Sequence, residues 1–385
     1  MNDTKIQNVH SGEKGSLEFV EKFLDGREKN SSVFVVAGES SFKLSGAKAF
    51  FETIPNIPMT FFHDFSSNPK MEDVERGIEV FRSLPHSLII GVGGGSAIDI
   101  AKSINFFVSH KIAPKKYSPE EKIPAQSCMP LMAVPTTAGT GSETTQFAVL
   151  YDGMIKKSVD HSSVLPSHVL LNAKFTESQS PYLTACAGMD AFAQGIESYW
   201  AVNATNESLR YSEECIRTCL KHLEKAVVNP NKTERKEMLN AAHLSGKAIN
   251  IARTTAPHAF SYAMTAHYGL PHGHAVSLTL PTMFRMNGKI TSQNIDTRLE
   301  LYSFRQRMQN LYSFFGIHHE ADDVAAFLEK LMDKIGLPRK WFTEKKYNLE
   351  EVRSTIIRET NQERLRNNPR KIEDSELAEI VKNIY

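Results

Sequence analysis

Four of the chain's fourteen histidines lie close together between positions 258 and 274. They are His258, His267, His272 and His274. Imidazole is the commonest metal-binding side chain in proteins, so this concentration indicates a metal site. Upstream, Asp190 and Gln194 stand four residues apart in an apolar, helix-like segment, and that spacing places both on one helix face. The residue types therefore predict a metal centre that combines this pair with histidines of the later segment.

A run of three glycines at positions 93–95 forms the second candidate site. It follows a predicted strand at residues 87–92 and precedes Ser96, while Asp99 and Lys102 lie on the predicted helix beyond. Glycine lets the backbone approach a phosphate, and the first turn of a helix offers unpaired N–H groups and a positive dipole end. A tight turn alone would also use glycine, but three in a row before this helix favour phosphate binding.

A third candidate is the loop at residues 135–143, which is dense in threonine, serine and glycine. It follows a predicted strand at residues 130–134, and its hydroxyl groups could donate several hydrogen bonds to a polar ligand. An apolar segment resumes at residues 147–151. We therefore expect this loop to lie at the end of a sheet rather than to be a plain surface loop.

The elements that hold these loops alternate between strand and helix as far as residue 180. Runs rich in β-branched and aromatic residues predict strands at 32–37, 59–62, 87–92, 130–134, 156–160 and 165–172. Helix-like stretches separate the earlier ones. This order is typical of a mostly parallel sheet with a ligand crevice at the carboxyl ends of its strands.

After Pro181 the pattern changes to long stretches with the period of an α-helix, as at residues 207–227 and 233–251. We therefore predict two domains, an α/β domain at residues 1–180 and an all-α domain at residues 181–385. The charged segment at residues 358–370 is predicted to be a solvated face or loop.

Composition indicates an ordinary globular protein. The 385 residues are 41% hydrophobic and 23% charged, with a formal net charge of +1. That charge argues against nucleic acid or a membrane surface as a partner. The four cysteines form no CxxC pair, and we expect reduced thiols in a cytoplasmic protein. The first ten residues have no apolar core of signal-peptide length.

Together these motifs resemble the iron-containing (group III) alcohol dehydrogenase family. Residues 93–102 resemble its pyrophosphate loop, and residues 135–143 resemble its second nucleotide loop. Residues 190–198 resemble its first metal motif, while His258 and the Pro-His-Gly at 271–273 resemble its second and third. The resemblance implies a Rossmann-like N-terminal domain followed by a helical metal-binding domain, the fold shared with dehydroquinate synthase.

The resemblance also implies a metal-dependent alcohol dehydrogenase or aldehyde reductase that uses NAD or NADP. The implied coenzyme contacts are Gly38, Ser40, Ser41, Lys43, Gly93, Gly94, Gly95, Ser96, Asp99, Thr136, Thr137, Thr140, Ser142 and Lys157. Asp99 and Lys157 match positions near the nicotinamide ribose, and with His267 they form the predicted catalytic set.

NADPH is favoured over NADH at the predicted coenzyme site. Relatives that prefer NAD tend to carry an aspartate after the first strand, where this chain has Gly38 followed by Glu39. Loss of that carboxylate makes room for a 2′-phosphate, which Ser40, Ser41 or Lys43 could contact. Glu39 would oppose this preference if its side chain turned inward.

For the metal, the resemblance assigns Asp190, His258 and His272 as ligands and places Gln194 where the family has a histidine. A glutamine oxygen is a weaker ligand than imidazole, so Zn²⁺ and Mn²⁺ are candidates beside Fe²⁺. His267 and His274 match no metal position, and each is either hydrogen-bonded to a neighbour or part of a proton relay. Many relatives carry a further active-site histidine where this chain has Tyr262.

Three segments, at residues 38–42, 194–200 and 254–262, resemble the phosphonoacetaldehyde reductase (hydroxyethylphosphonate dehydrogenase) branch of the family. This implies reduction of phosphonoacetaldehyde to 2-hydroxyethylphosphonate, with Arg253, Thr254 and Thr255 as candidate contacts of the anion. Three alternatives stay open. They are a dehydrogenase of another small alcohol or keto-sugar acid, a dehydroquinate-synthase-like lyase, and a non-catalytic nucleotide-binding protein. A homodimer is expected.

Overall fold

The chain divides between Gln179 and Ser180 into two compact units. The computed structural model describes residues 7–124, 126–153, 155–317 and 320–384. A parallel sheet with flanking helices makes up most of the first unit, and the second unit is largely helical. This confirms the predicted fold class, an α/β domain followed by an α-helical one.

Six strands of the first unit form one parallel sheet. They are β1 (Asn8–Ser11), β2 (Ser32–Ala37), β3 (Met59–Phe62), β4 (His86–Gly93), β5 (Leu131–Pro135) and β8 (His168–Leu171). Their order across the sheet is β1-β8-β5-β4-β2-β3. Two further strands, β6 (Phe147–Asp152) and β7 (Ile155–Asp160), pair antiparallel with each other in a separate hairpin. The strand predicted at 156–160 therefore lies outside the parallel sheet.

The sheet is buried on both faces, which explains the continuous apolar runs of its central strands. Every residue of β2 is buried. Phe34 and Val36 pack into one hydrophobic cluster, and Val33 and Val35 pack into a second one. Successive side chains of a strand point to opposite faces, so the two clusters are the cores on either side of the sheet.

Helices connect the parallel strands in the first unit. They are α1 (Ser16–Leu24), α2 (Glu39–Leu44), α3 (Ala47–Glu52), α4 (Met71–Phe81) and α5 (Gly95–His110). From β2 the chain moves outward to β3, then returns to the other side of β2 to form β4 and β5. Such a reversal leaves a crevice beyond the carboxyl ends of the strands, where α/β proteins bind ligands. The loops after β2, β4 and β5 all reach this edge.

The second unit is built from ten helices within the described part of the chain. They are α6 (Pro181–Trp200), α7 (Asn206–Val228), α8 (Lys232–Ala252), α9 (Ala256–Tyr268), α10 (His272–Gly288), α11 (Leu301–Phe314), α12 (Ala321–Lys334), α13 (Leu349–Arg358), α14 (Gln362–Leu365) and α15 (Asp374–Lys382). Ser180 caps α6 by accepting a hydrogen bond from the backbone N–H of Leu183, and Pro181 follows at the first helical position. Because α6 is buried along nearly its whole length, its polar residues must find partners inside the protein.

None of the described helices combines the length and apolar character needed to cross a bilayer.

The prediction of a solvated segment at residues 358–370 is wrong for its later part. Asn367 and Asn368 are only 4% and 2% exposed. The side-chain amide of Asn367 donates to the backbone oxygens of Ala252 and Thr254, and that of Asn368 bonds to Asn287. Composition suggested solvent because the segment is polar, whereas its partners lie far away in the sequence.

Candidate functional site

Asp190, His258 and His272 converge in the second unit, where α6, α9 and α10 meet. One ligand atom from each lies within 4.8 Å of the others. The Nε2 atoms of His258 and His272 lie 3.4 Å and 3.8 Å from Oδ1 of Asp190. Oδ1 of Asp190 and Nε2 of His258 are among the buried polar atoms of the described residues that make no hydrogen bond. A divalent metal ion bonded to both atoms would satisfy them, so the donor set fits a metal.

The electrostatics of Asp190 suit a ligand. Burial tends to raise the pKa of its carboxyl group, but the attraction of His272 and of His258, with a smaller contribution from the Gln194 amide, outweighs burial and holds that pKa below its usual value. Asp190 is therefore a carboxylate, which is the form that binds a cation.

Glu197 orients His258 toward Asp190. It lies two turns after Asp190 on α6 and is fully buried. Its Oε1 lies 2.5 Å from Nδ1 of His258, so the ring donates its Nδ1 proton to the carboxylate. Its Oε2 accepts from the backbone N–H and the hydroxyl of Thr255, at 2.7 Å and 3.0 Å. A carboxylate on one ring nitrogen leaves the other as the metal-binding atom, and here that atom is Nε2.

Glu197 lies within the first metal motif at residues 190–198, but the sequence alone gave it no function. Its spacing from Asp190, seven residues along one helix face, was the signal that could have found it. The hydrogen bond to His258 needs the tertiary fold, because 61 residues separate the two in the chain.

Gln194 lies one turn after Asp190 and is also buried. The hydroxyl of Ser245, on α8, donates to its Oε1 at 2.8 Å, and its amide nitrogen is directed to Asp190 as a hydrogen-bond donor. These contacts occupy both ends of the amide with protein partners. The assignment of Gln194 as fourth metal ligand stays a prediction.

His272 is held beside the other two residues by its neighbours on α9. Nδ1 of His272 lies 3.4 Å from the hydroxyl of Ser261. The ring of Tyr262 stacks on that of His272, with centroids 5.9 Å apart and planes inclined by 14°. Tyr262 therefore touches the predicted metal centre.

The other two histidines of residues 258–274, His267 and His274, form hydrogen bonds to residues outside the metal cluster. His274 is fully buried, and its Nδ1 accepts from the Tyr182 hydroxyl at 3.0 Å while its Nε2 donates to the backbone oxygen of Pro338 at 2.8 Å. Nε2 of His267 is hydrogen-bonded to the carboxylate of Glu359. His274 is a structural residue, and the relay role of His267 stays a prediction.

Gly273 allows α10 to approach α6 closely enough to bring His272 to Asp190. A Cβ atom at this position would lie 1.9 Å from the backbone oxygen of Cys186 and 2.9 Å from Cβ of Asp190. Both contacts are shorter than real side chains permit, and one of them is to backbone.

We expect Gly273→Ala to force the two helices apart and to destabilise the protein by about 1–3 kcal/mol, the usual cost of overpacking. Because the shift falls between His272 and Asp190, metal content should fall as well. Thermal unfolding and metal analysis measure both effects. Gly269→Ala is a useful contrast, since no atom lies within 4 Å of a Cβ there and any effect must come from its positive φ.

In the first unit, the two predicted nucleotide loops pack against each other. The backbone N–H of Thr136 donates to the oxygen of Gly93 at 2.9 Å. A Cβ at Gly94 would lie 3.3 Å from Thr137, and one at Gly95 would lie 3.0 Å from Thr140. The glycines are therefore needed for the close approach of the loops, and they leave the first turn of α5 uncovered by side chains of its own.

Asp99 and Ser142 belong to a buried network that ties the second loop to α5. The Ser142 hydroxyl donates to Oδ1 of Asp99 at 2.5 Å, and the backbone N–H of Val149 donates to Oδ2 at 3.0 Å. The ammonium group of Lys102 donates to the hydroxyl of Thr145 and to backbone oxygens of Ser142 and Phe147. These contacts make Asp99 and Lys102 anchors of the loop, and the predicted ribose contact of Asp99 is untested.

Lys102 is fully buried, and burial lowers the pKa of its ammonium group to about 8 from an ordinary 10.5, against the attraction of Asp99 and Glu143. As the pH rises through 8, the folded protein releases a proton that the unfolded chain still binds, so stability increases. The quantity to follow is the free energy of unfolding of the native protein minus that of Lys102→Met. We expect this difference to rise by up to about 3 kcal/mol as the pH rises from about 8 to 10.5. Denaturant titrations at several pH values test this, and a difference independent of pH would contradict it.

The remaining predicted coenzyme residues follow strands β2 and β4 or lie on the β6–β7 hairpin. Ser96 donates to the backbone oxygen of Ser67, and Ser41 donates to that of Gly38 at 3.0 Å. Ser40 and Lys43 are exposed on α2. Lys157, on the β6–β7 hairpin, forms an ion pair with Asp152 at 2.7 Å.

The predicted substrate residues join α8 to α9, directly before His258. Thr255 is fully buried, and its hydroxyl accepts from the indole N–H of Trp200 at 2.9 Å besides donating to Glu197. Thr254 is buried as well, whereas Arg253 is partly exposed.

Comparisons with known proteins identify the family of this chain. Residues 8–173 match the model of the iron-containing alcohol dehydrogenases, and residues 184–385 match the C-terminal model of the same family. The chain therefore belongs to the iron-containing alcohol dehydrogenase family.

The individual relatives share about a third or less of their residues with this chain. The chain is 33% identical over 238 residues to the probable alcohol dehydrogenase EutG of Escherichia coli, covering 61% of this chain and 60% of that protein. It is 30% identical over 248 residues to the phosphonoacetaldehyde reductase of Streptomyces viridochromogenes, covering 60% and 61%. The chain thus spans about 60% of the length of these curated relatives. The crystal structure of sulfoacetaldehyde reductase from Bifidobacterium kashiwanohense in complex with NAD+ superposes with a TM-score of 0.86 at 26% identity, covering 98% of this chain and 96% of that one.

Proposed function

We propose that this protein is a metal-dependent aldehyde reductase that uses NADPH or NADH and converts phosphonoacetaldehyde to 2-hydroxyethylphosphonate. The observation that carries the proposal is the cluster of Asp190, His258 and His272, with its buried and unpaired Oδ1 and Nε2 atoms. Buried polar atoms without a partner are rare, and at a convergent donor set a metal ion accounts for them. Membership of the family supports the reaction type.

In this proposal Asp190, His258 and His272 hold the metal, with Gln194 as the predicted fourth ligand. A divalent metal, Fe²⁺, Zn²⁺ or Mn²⁺, supplies a Lewis acid that polarises the aldehyde oxygen. A reduced nicotinamide coenzyme, held at the two loops of the first unit, supplies the hydride. Glu197 keeps Nε2 of His258 available, and His267 remains the candidate for delivering the proton to the product oxygen.

The coenzyme preference we propose is NADPH. Gly38, at the end of β2, has no carboxylate to repel a 2′-phosphate, and the exposed Ser40, Ser41 and Lys43 follow it on α2. We expect a higher kcat/KM with NADPH than with NADH, and Lys43→Ala should reduce the difference. Equal use of both coenzymes by the native protein would contradict this preference.

Similarity to two named reductases and the charge of Arg253 support an aldehyde substrate that carries an acidic group. Phosphonoacetaldehyde reductase and sulfoacetaldehyde reductase are both named for small aldehydes that carry an acidic group. Arg253, a partly exposed residue five positions before His258, carries a cationic side chain. A guanidinium binds such anions through charge-assisted, bidentate hydrogen bonds.

Rates with matched aldehydes test the substrate class. We expect kcat/KM for phosphonoacetaldehyde to exceed that for propanal by about 100-fold, the contribution of one or two hydrogen bonds to a charged group. Similar rates would favour an uncharged substrate, to which the similarity with EutG points.

Simpler measurements distinguish the proposed reductase from a lyase and from a non-catalytic nucleotide-binding protein. Net oxidation of NADPH, one per product molecule, excludes a lyase that uses the nucleotide catalytically. Metal analysis of the purified protein decides against a non-catalytic nucleotide-binding protein if the metal is present and needed for turnover.

We further propose that the enzyme acts as a homodimer in the cytoplasm, without nucleic acid or membrane partners. The near-neutral charge and the four free cysteines support this setting. Light scattering after size exclusion would test the dimer.

A further inference from the structure

Arg253 has a backbone conformation that residues with a side chain rarely adopt. Its φ is 64° and its ψ is 174°, a region that is essentially restricted to glycine. Lys111 also has a positive φ, but its ψ of 35° places it in the left-handed helical region that commonly ends a helix. Arg253 is therefore strained in a way that Lys111 is not.

The side chain of Asn367 bonds to the backbone on both sides of Arg253. The Nδ2 group of Asn367 donates to the backbone oxygens on both sides of Arg253, those of Ala252 at 2.8 Å and Thr254 at 3.0 Å. Asn367 is itself fixed, because its Oδ1 accepts from the backbone N–H of Asn203 and its backbone oxygen accepts from that of Val202. We call this arrangement the Asn367 clamp.

The clamped turn is linked rigidly to the predicted metal centre. Two residues after Arg253, the backbone N–H and hydroxyl of Thr255 bond to Glu197, and Glu197 bonds to His258. Folded proteins keep strained residues mainly where function requires them. Of the three predicted substrate residues, Arg253 alone is partly exposed.

We propose that the Asn367 clamp holds Arg253 as a preorganised binding group for the phosphonate of the substrate. Arg253 makes the contact, and Asn367 is a positioning residue that acts through it. The inference rests on the proposed function and deepens it. Fixing the turn before binding removes the entropic cost of ordering the backbone that carries the Arg253 side chain when the substrate arrives.

Variants at Arg253 test the contact. We expect Arg253→Ala to lower the ratio of kcat/KM for phosphonoacetaldehyde over propanal by about 10- to 100-fold, mainly through KM for the phosphonate. Arg253→Gly should lose selectivity equally but unfold at a higher temperature than Arg253→Ala, because glycine adopts this conformation without strain. Metal content should be unchanged in both.

Variants at Asn367 test the clamp. We expect Asn367→Ala to raise KM for phosphonoacetaldehyde by about tenfold with kcat nearly unchanged. Asn368→Ala is the matched control, because Asn368 is equally buried but bonds to Asn287 and Arg370 instead. If Asn367→Ala does not fold, Asn367→Asp keeps the size of the side chain and removes the two N–H donors.

The outcomes separate this inference from the proposed function. A native protein with no preference for phosphonoacetaldehyde over propanal overturns the proposed function. A native protein with that preference, retained in Arg253→Ala, overturns only the Arg253 contact. Equal KM values in Asn367→Ala and Asn368→Ala overturn the clamp, and equal unfolding temperatures in Arg253→Ala and Arg253→Gly overturn the strain at Arg253.

Discussion

Replacing His272 by alanine is expected to remove bound metal and turnover together. The structure brings three side chains to the predicted centre, Asp190, His258 and His272, and the variant leaves two. Without Lewis-acid stabilisation of the developing alkoxide, we expect kcat to fall by about a thousandfold or more. Mass spectrometry of bound metal, beside an assay of NADPH oxidation, measures both effects on one preparation.

His267→Ala provides the matched control for His272→Ala. It removes an imidazole from the same segment, but one that is bonded to Glu359 instead of lying at the cluster. We expect His267→Ala to keep its metal. Full NADPH-dependent activity in a metal-free His272→Ala protein would end the proposal of a metal-dependent reductase.

Glu197→Gln is expected to weaken metal binding while leaving the fold intact. The carboxylate now accepts the Nδ1 proton of His258, which leaves Nε2 as the ring atom that a metal would bind. Glutamine has the same shape but can present an N–H group to Nδ1. The ring would then carry its proton on Nε2, where it blocks coordination, just as a wrong tautomer disables a catalytic histidine. We expect a loss of about 10- to 100-fold in metal affinity.

Competition with a chelator of known affinity measures this change in Glu197→Gln. Glu234→Gln is the control, because Glu234 forms a second buried carboxylate–histidine pair, 2.5 Å from Nδ1 of His222. That pair lies on α7 and α8 and includes none of the predicted ligands. Glu234→Gln should affect stability without affecting metal affinity. Equal affinities in the native protein and Glu197→Gln would show that the tautomer of His258 is not set by this carboxylate.

Much of the architecture could be read from local patterns. The buried strands before residues 93–95 and 135–143 are short apolar runs. In the helices after Pro181 the apolar residues recur about every 3.6 positions over longer stretches, so the period and the length of the apolar pattern distinguish helices from strands. Asp190, His258 and His272 could also be picked out, because residue type and motif spacing are visible without coordinates. The hairpin strand at 155–160 was not distinguishable from a strand of the main sheet, since the partner of a strand is set by contacts along its edge.

The sequence by itself therefore determined the fold class and the candidate ligands, which depend on interactions between near neighbours in the chain. Only the tertiary structure decided how those ligands are held. Glu197 on His258, Ser245 on Gln194 and the Asn367 clamp on Arg253 each join residues more than fifty positions apart. Hydrogen bonds of this kind depend on ångström-scale positions of packed helices, and a polar residue looks the same in the sequence whether its partner is water or a distant backbone oxygen.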